Sequence, residues 1–428
     1  MTSTTPDSHR TSVRGSISHD DAAARDPEPS VARSATSRLT GQSRLLLSGP
    51  ERGQALRTAA RGRPRLYTSY AKDSALLNSA AKRWWTLAAL GIALVLPFWL
   101  TRDLSHLLSV AMVMAIAGIG LNLLTGYAGQ ISLGHPFFMA LGAYTGAVVS
   151  GTPGSIVVGW ELDLSIALVL SAVIPGIVGL VVAPLATRVR GLYLAVLTLG
   201  LLMLGEQLFK QWAAVTGGSG VGRAGAVPVL FGTDLERTYA VGPLLIEPAV
   251  SLYLLCLGVL VVLAFAARNL ARSRTGRAFA AVRDRDIAAE VMGVNLLRTK
   301  TLAFVLSSAY AGVAGCLFAI LIGRVAPEQW NILMAINLLA IVVIGGVATI
   351  TGTLIGAAFV VLLPRLLEWL APWLPFVSTG SGGLITVFQL ESILFGALIV
   401  VFLILEPRGL FGLWHRIRTY FTTWPFSY

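Results

Sequence analysis

Four ionic side chains stand in a row, Arg283-Asp284-Arg285-Asp286, between long apolar stretches, and the short run Ile287-Ala288-Ala289-Glu290-Val291-Met292-Gly293 follows them. A loop that merely joined two apolar helices would need neither feature. The Asp286 carboxylate can accept from free backbone N–H groups at a helix start, and Gly293 can adopt the left-handed conformation that ends one. Ile287 and Val291 are four apart and share a face. The spacing predicts about two turns of helix with an apolar face and charged shoulders. That chemistry is docking on a partner or lying in a lipid interface, and it is not catalysis. Gly276 is read as ending a preceding short element.

A second polar constellation interrupts an apolar run. LLTGYAGQISLGHPFF, residues 123–138, carries Gly126, Gly129, Gln130, Ser132, Gly134 and His135. Irregular backbone at membrane depth is tolerated where protein buries it or where it lines a wet cavity, and transport proteins use broken helices to offer backbone groups to a polar ligand. The competing reading is an ordinary turn between two spans. Glu206 and Lys210 are a helix-spaced pair, either facing a polar interior or closing a span at the interface. TGGSGVGR, residues 216–223, is read as a flexible glycine-rich loop and lacks the Lys-Ser/Thr of a phosphate loop. His106 and His135 are isolated, so no catalytic set and no metal site is expected.

The elements that must hold these residues follow from composition. Hydrophobic residues make up 55% of the 428-residue chain and charged ones only 13%, with a mean hydropathy of +0.73. Continuous apolar runs of about 20 residues, each able to cross the bilayer core, recur from Trp84 onward. The expected fold class is an all-α polytopic membrane protein, and the unbroken runs argue against a β-barrel. Ten spans are read near 84–101, 104–124, 134–152, 164–186, 191–209, 250–268, 300–322, 331–347, 350–370 and 391–407. The Gly345-Gly346 break is either a tight hairpin or a kink. Gly142-x-x-x-Gly146 and Gly352-x-x-x-Gly356 are helix-packing spacings.

Lys and Arg cluster on one side of that arrangement: Arg83, Arg188/Arg190, the 269–299 loop and Arg408/Arg416/Arg418. Both termini are therefore expected in the cytoplasm, with 210–249 on the outer side. The net charge of +12 is concentrated, because residues 1–83 hold 14 of the 33 Lys/Arg and 7 of the 21 Asp/Glu. That segment reads as a disordered basic cytoplasmic tail able to touch anionic lipid, and no nucleic-acid partner is expected. It has no apolar core of a signal peptide. Residues 84–407 form the membrane domain and 408–428 a cytoplasmic C-terminal tail. Cys256 and Cys316 sit in separate apolar runs and read as packing residues.

Ala288-Ala289-x-x-x-Gly293 resembles the coupling loop of ABC importer permeases, with Ile287 standing where that loop's first Glu would be. DRDIAAEVMGVN is similar to the permeases for branched-chain amino acids. So are GIGLNLLTGYAGQISLGHPFFMALGAY, RVRGLYLAVLTLG, TGGSGVG, LAIVVIGGVATITGTLIGAA and LEPRGLFG, which run in the family's order from about residue 105 to 412 and look most like its LivM-type subunits. The resemblance implies an ABC importer permease in the bacterial plasma membrane. Its partners would be two ABC ATP-binding subunits, a second LivH-type permease subunit and an extracytoplasmic solute-binding protein. ATP would be used by the partner subunits, with no cofactor on this chain. Arg283, Asp284, Asp286, Ile287, Ala288, Ala289, Glu290 and Gly293 would form the coupling helix. Gly126, Gly129, Gln130, Ser132, Gly134 and His135 would line the path, with Glu206 nearby or at its outer rim. Rival readings are a same-family permease for urea, short amides or other amino acids, and a secondary transporter or channel acting alone.

Overall fold

The structure, a computed structural model, describes residues 80–189, 191–241, 244–370, 377–378, 385–405 and 409–423. The basic tail up to residue 79, Arg190, Arg408 and most of the 371–390 link lie outside the described residues. Helices form where the apolar runs were read. They are α1 Ala80–Val95, α2 Arg102–Asn122, α3 His135–Val149, α4 Leu164–Arg188 and α5 Leu192–Gln211. A short α6, Ala213–Thr216, precedes α7, Pro248–Arg272. Then come α8 Arg274–Asp284, α9 Asp286–Val291, α10 Leu296–Ile322, α11 Ile332–Gly345, α12 Ile350–Leu370, α13 Val387–Leu405 and α14 Gly409–Thr423. Among the described residues, six helices are long and apolar enough to cross a membrane by length and composition: α2 with its extension to Tyr127, α4, α5, α7, α10 and α12 up to Trp369. Trp84–Phe98, Ile332–Gly345 and Ser392–Val401 are shorter apolar helices.

The 210–249 segment departs from a plain loop. Two-residue and three-residue strands pair within it, Val229–Leu230 with Thr233–Asp234 and Tyr239–Val241 with Leu244–Ile246, and Arg223–Ala224 pairs antiparallel with Arg324–Val325. These ladders form where Gly, Pro and charged residues break the helical pattern and backbone groups must find partners outside it.

The two most deeply buried long helices, α2 and α10, make the centre. α10 packs on α4, α3 and α2, and α2 packs on α12, α7 and α11. Small residues set the close approaches. Gly142 of α3 lies against the backbone of Gly312 in α10, where a Cβ would collide. Gly345 of α11 likewise meets Gly352 and Gly356 of α12, so both glycine pairs noted in the sequence are packing surfaces. The Gly345-Gly346 break is a turn between two helices: Gly346 and Ala348 both have positive φ, 126° and 60°. Cys256 and Cys316 are buried free thiols in α7 and α10.

Chain turns gather at two ends. One end holds α8 and α9, the 123–134 break and the 346–349 turn. The other holds residues 150–163, the 212–235 segment and residues 323–331.

Candidate functional site

α2 does not stop cleanly at Asn122. Its last turn widens into a π turn over Leu123–Tyr127, in which the Ala128 amide reaches back to Leu123 O at 3.2 Å and the Gln130 amide to Leu124 O at 3.0 Å. Such wide turns trade regular backbone pairing for a local change of direction. Gly129 follows with φ +70°, a left-handed conformation that costs a side-chain-bearing residue about 1–2 kcal/mol. The segment then enters α3 at Gly134.

The charged row packs directly on this break. Arg283, in the last turn of α8, donates from Nη1 to the Gly126 carbonyl at 3.0 Å and pairs through Nη2 with Asp284 at 2.9 Å. A Cβ on Gly129 would lie 2.8 Å from Arg283 Cγ, so the aliphatic stem of the arginine fills the space that glycine leaves. Asp286 lies 3.8 Å from Lys300 Nζ, and Gln130 donates to Lys300 O at 3.4 Å. A cavity of about 220 Å³ opens here, walled by Gly129, Gln130, Val189, Arg283, Asp286 and Lys300 among others. The Gln130 side-chain oxygen is buried without a partner among the described residues.

α8 and α9 form an arm with its own caps. Ser273 Oγ accepts from Gly276 N at 3.4 Å, so Gly276 lies in the first turn of α8 and does not end an element. The sequence reading of Gly276 is corrected by that cap. Arg285, at φ −155°, breaks α8 from α9. Asp286 sits in the first turn of α9 and accepts from Ile287 N at 2.9 Å, near the position expected of it. Gly293, at φ +85°, ends the helix as the sequence indicated. Only Ala289 of α9 is buried, while Ile287, Val291 and Met292 are 67%, 82% and 84% exposed. Ala288 and Glu290 are exposed as well.

The candidate path residues divide into three groups. Gly126 and Gly129 meet the arm, and Gln130 beside them bonds Lys300 of α10. Ser132, Gly134 and His135 turn inward: Gly134 packs on Thr198 of α5, and the His135 ring donates from Nε2 to Ala117 O at 3.0 Å and faces Ser307 Oγ at 3.4 Å. Glu206 lies apart, paired with Lys210 at 2.6 Å, about 12 Å further along α5 than Thr198 at the helical rise per residue.

Two further residues emerge that the sequence did not single out. Asn122 is buried at the end of α2, where its amide donates to Thr349 O at 3.0 Å and Thr353 Oγ1 at 2.7 Å while its oxygen accepts from Ala348 N at 2.8 Å. An asparagine inside an apolar run is the only signal that could have flagged it. Arg223, at the opposite end, is also buried and donates to Ala147 O at 2.6 Å, Val215 O at 2.8 Å and Val158 O at 3.0 Å. Beside it, Glu328 accepts from Ser219 Oγ at 2.6 Å and Gly220 N at 3.1 Å. Those bonds, the Ser219 hydroxyl foremost, hold its carboxyl below the usual range. The glycine-rich stretch 216–223, read as flexible from its composition, is bonded at Arg223 and at Glu328. An open cleft of about 820 Å³ lies at this end among α2, α7, α10 and α12, with Arg102, Asp103, His106, Glu236 and Glu368 in its walls.

Residues 104–403 match the family described as branched-chain amino acid transport system, permease component. The chain belongs to that permease family. It is 30% identical over 346 residues to the high-affinity branched-chain amino acid transport system permease protein LivM of Escherichia coli (strain K12), covering 78% of this chain and 76% of that protein. The LivM protein of Salmonella typhimurium (strain LT2) matches to the same extent. The autoinducer 2 import system permease protein LsrC of Enterobacter sp. (strain 638) is 32% identical over 273 residues, 63% of each chain. No solved structure matches the chain significantly. As a permease component of LivM type, the protein is a multi-pass membrane transport subunit and works within a transport system of several subunits.

Proposed function

We propose that this chain is the LivM-type membrane subunit of an ATP-driven importer, with branched-chain amino acids as its cargo, and that it works by alternating access. Ten helices would cross the plasma membrane with both termini inside, placing the α8–α9 end in the cytoplasm and the 212–235 segment outside. Two ABC ATP-binding subunits would complete the complex, one of them docking on α9, while a LivH-type permease would complete the path and an extracytoplasmic solute-binding protein would deliver cargo. ATP stays on the partner subunits, and this chain holds no cofactor of its own.

The observation that carries this reading is the arm. α9 buries Ala289 and presents Ile287 and Val291 to its surroundings, with Met292 just beyond it also exposed, at the end where Arg283 grips the broken helix. Exposed large apolar side chains clustered on so short a helix support a docking role. ATP-driven closure of the docked subunits would push the arm, and the arm's contact with Gly126 and Gly129 would pass that push to the segment lining the inner path.

The test is purification of the tagged chain in mild detergent with its co-purifying proteins, followed by reconstitution and ATP-dependent uptake of leucine, isoleucine and valine. Recovery of two ATP-binding proteins and a second permease, with uptake that needs ATP, is the expected result. A chain that purifies alone and transports without ATP overturns the importer assignment. The LsrC relatives, permeases of an autoinducer 2 import system, favour a second cargo reading in which a related polar solute is carried. Competition of leucine uptake by urea, short amides and sugar-like solutes separates the two.

A further inference from the structure

The contacts of the broken helix reach beyond the arm. Gly126 is held on two sides. Its carbonyl accepts from Arg283, and the position its missing Cβ would occupy is taken by the Asn122 carboxamide and the Ala348 amide. Asn122 in turn bonds Ala348 N, Thr349 O and Thr353 Oγ1, and Thr353 Oγ1 bonds back to Thr349 O at 2.9 Å. Three segments distant in sequence thus form one line: Arg283 on the arm, Asn122 and Gly126 at the end of α2 and its π turn, and Thr349 with Thr353 where α12 begins.

The line has no slack. Asn122 and Thr353 are fully buried, both amide protons and the oxygen of Asn122 are used, and Gly126 fits only because it lacks a side chain. The π turn between them lacks the regular i→i+4 pairing of the flanking helices, so a displacement enters the bundle here at the least backbone cost. Coupling between distant parts of a protein travels through packed, hydrogen-bonded elements that move together. The 346–349 turn, with its two positive-φ residues, is the element at the far end of this line.

We infer that Asn122 is a positioning residue for transport: through Gly126 it passes movement of the α8–α9 arm to the α11–α12 turn, so that the two inner ends move as one. This rests on the importer reading and adds to it the route inside this subunit. Every bond of the Asn122 side chain goes to the 348–353 segment.

The experiment uses the complete reconstituted importer and reads amino-acid uptake per ATP hydrolysed. Asn122→Ala is expected to assemble and to hydrolyse ATP at the wild-type rate, with the ratio cut about tenfold. Thr353→Val, which keeps shape and removes one hydroxyl, is expected to cut the ratio severalfold, and Thr353→Ser to restore it. An unchanged ratio in Thr353→Val and Asn122→Ala overturns the inference. A parallel fall of hydrolysis and uptake, with a lower melting temperature and an unchanged ratio, also overturns it, because that is what a merely structural residue would give. Should Asn122→Ala not assemble, the Thr353 pair alone decides. A wild-type complex with no ATP-dependent uptake would instead defeat the importer reading itself.

Discussion

The two ends of the bundle are fastened by different chemistry. At the 212–235 end, Arg223 is buried and its guanidinium reaches three carbonyls from α3, the 150–163 link and the α6 segment. At the α8–α9 end, Arg283 is partly exposed, holds one carbonyl, and shares its charge with a solvent-facing Asp284. The nearby Asp286–Lys300 pair is looser, at 3.8 Å. Removing a buried group that several carbonyls bond to is costly, whereas exposed ion pairs contribute little to stability. The Arg223 fastening is built to keep its shape, whereas the ion pairs of the arm can change partners at low cost and leave the buried Asn122 contacts beneath them in place.

The largest effect should come from the rigid end. Arg223→Met removes the guanidinium bonds to Ala147 O, Val158 O and Val215 O. Unmade hydrogen bonds of this kind should cost about 3 kcal/mol or more in total. Thermal unfolding in detergent should show a clearly lowered midpoint. The equivalent cut at the other end, Arg283→Met, should leave the midpoint nearly unchanged while uptake falls. Equal melting temperatures for the two variants would erase the contrast.

Next comes Gly129→Leu. A leucine at φ +70° is strained by about 1–2 kcal/mol, and its Cβ would displace the Arg283 stem. Complex assembly should persist while uptake drops about tenfold, an effect the size of a lost coupling contact. Wild-type uptake in this variant would separate the arm from the path. A finer cut lies within α9. Ala288→Glu places a carboxylate on an exposed site and should weaken docking of the ATP-binding subunit severalfold with the fold intact, as a charge in an apolar contact does. Ala289→Glu puts the same group in a buried site and should loosen the arm itself. Limited proteolysis of the 273–295 region distinguishes them: only Ala289→Glu should accelerate cleavage.

Local signals made much of this legible in advance. The apolar runs located the helices because run length and bilayer thickness constrain each other, and Gly293 announced the end of α9 through its own backbone freedom. The charged row was recognisable because it has no place between two spans. What the sequence did not disclose depends on contacts across long separations. Asn122 meets Thr349 and Thr353 more than 220 residues away, and nothing near Asn122 predicts such a meeting. Arg223 was hidden in a glycine-rich stretch that composition alone reads as loose, when its burial is decided by carbonyls on other elements. Gly276 was misplaced because a glycine can follow a cap as well as end a helix, and Ser273 three residues earlier was the deciding residue.

The smallest effect concerns the glycine-rich stretch and pH. Glu328 is held below the ordinary carboxylate range, mainly by the Ser219 hydroxyl, with the Gly220 amide and Lys210 adding to it. A carboxylate with a depressed folded pKa contributes stability above its unfolded pKa and loses it as pH falls through the folded one. The contribution should therefore be constant from pH 8 down to about 5 and fade only below the ordinary glutamate value of about 4.3. Amide exchange of residues 217–222, corrected for the intrinsic pH dependence of exchange, should be flat across the neutral range and rise only in acid. Glu328→Ala should show the raised exchange already at pH 7, and Glu328→Gln, whose oxygen can still accept from Ser219 and Gly220, should fall between. Arg223 is unaffected by any of these changes, so the stretch should loosen at Gly220 while staying anchored at residue 223. Loosening of the whole segment together would mean that the two fastenings act as a single unit.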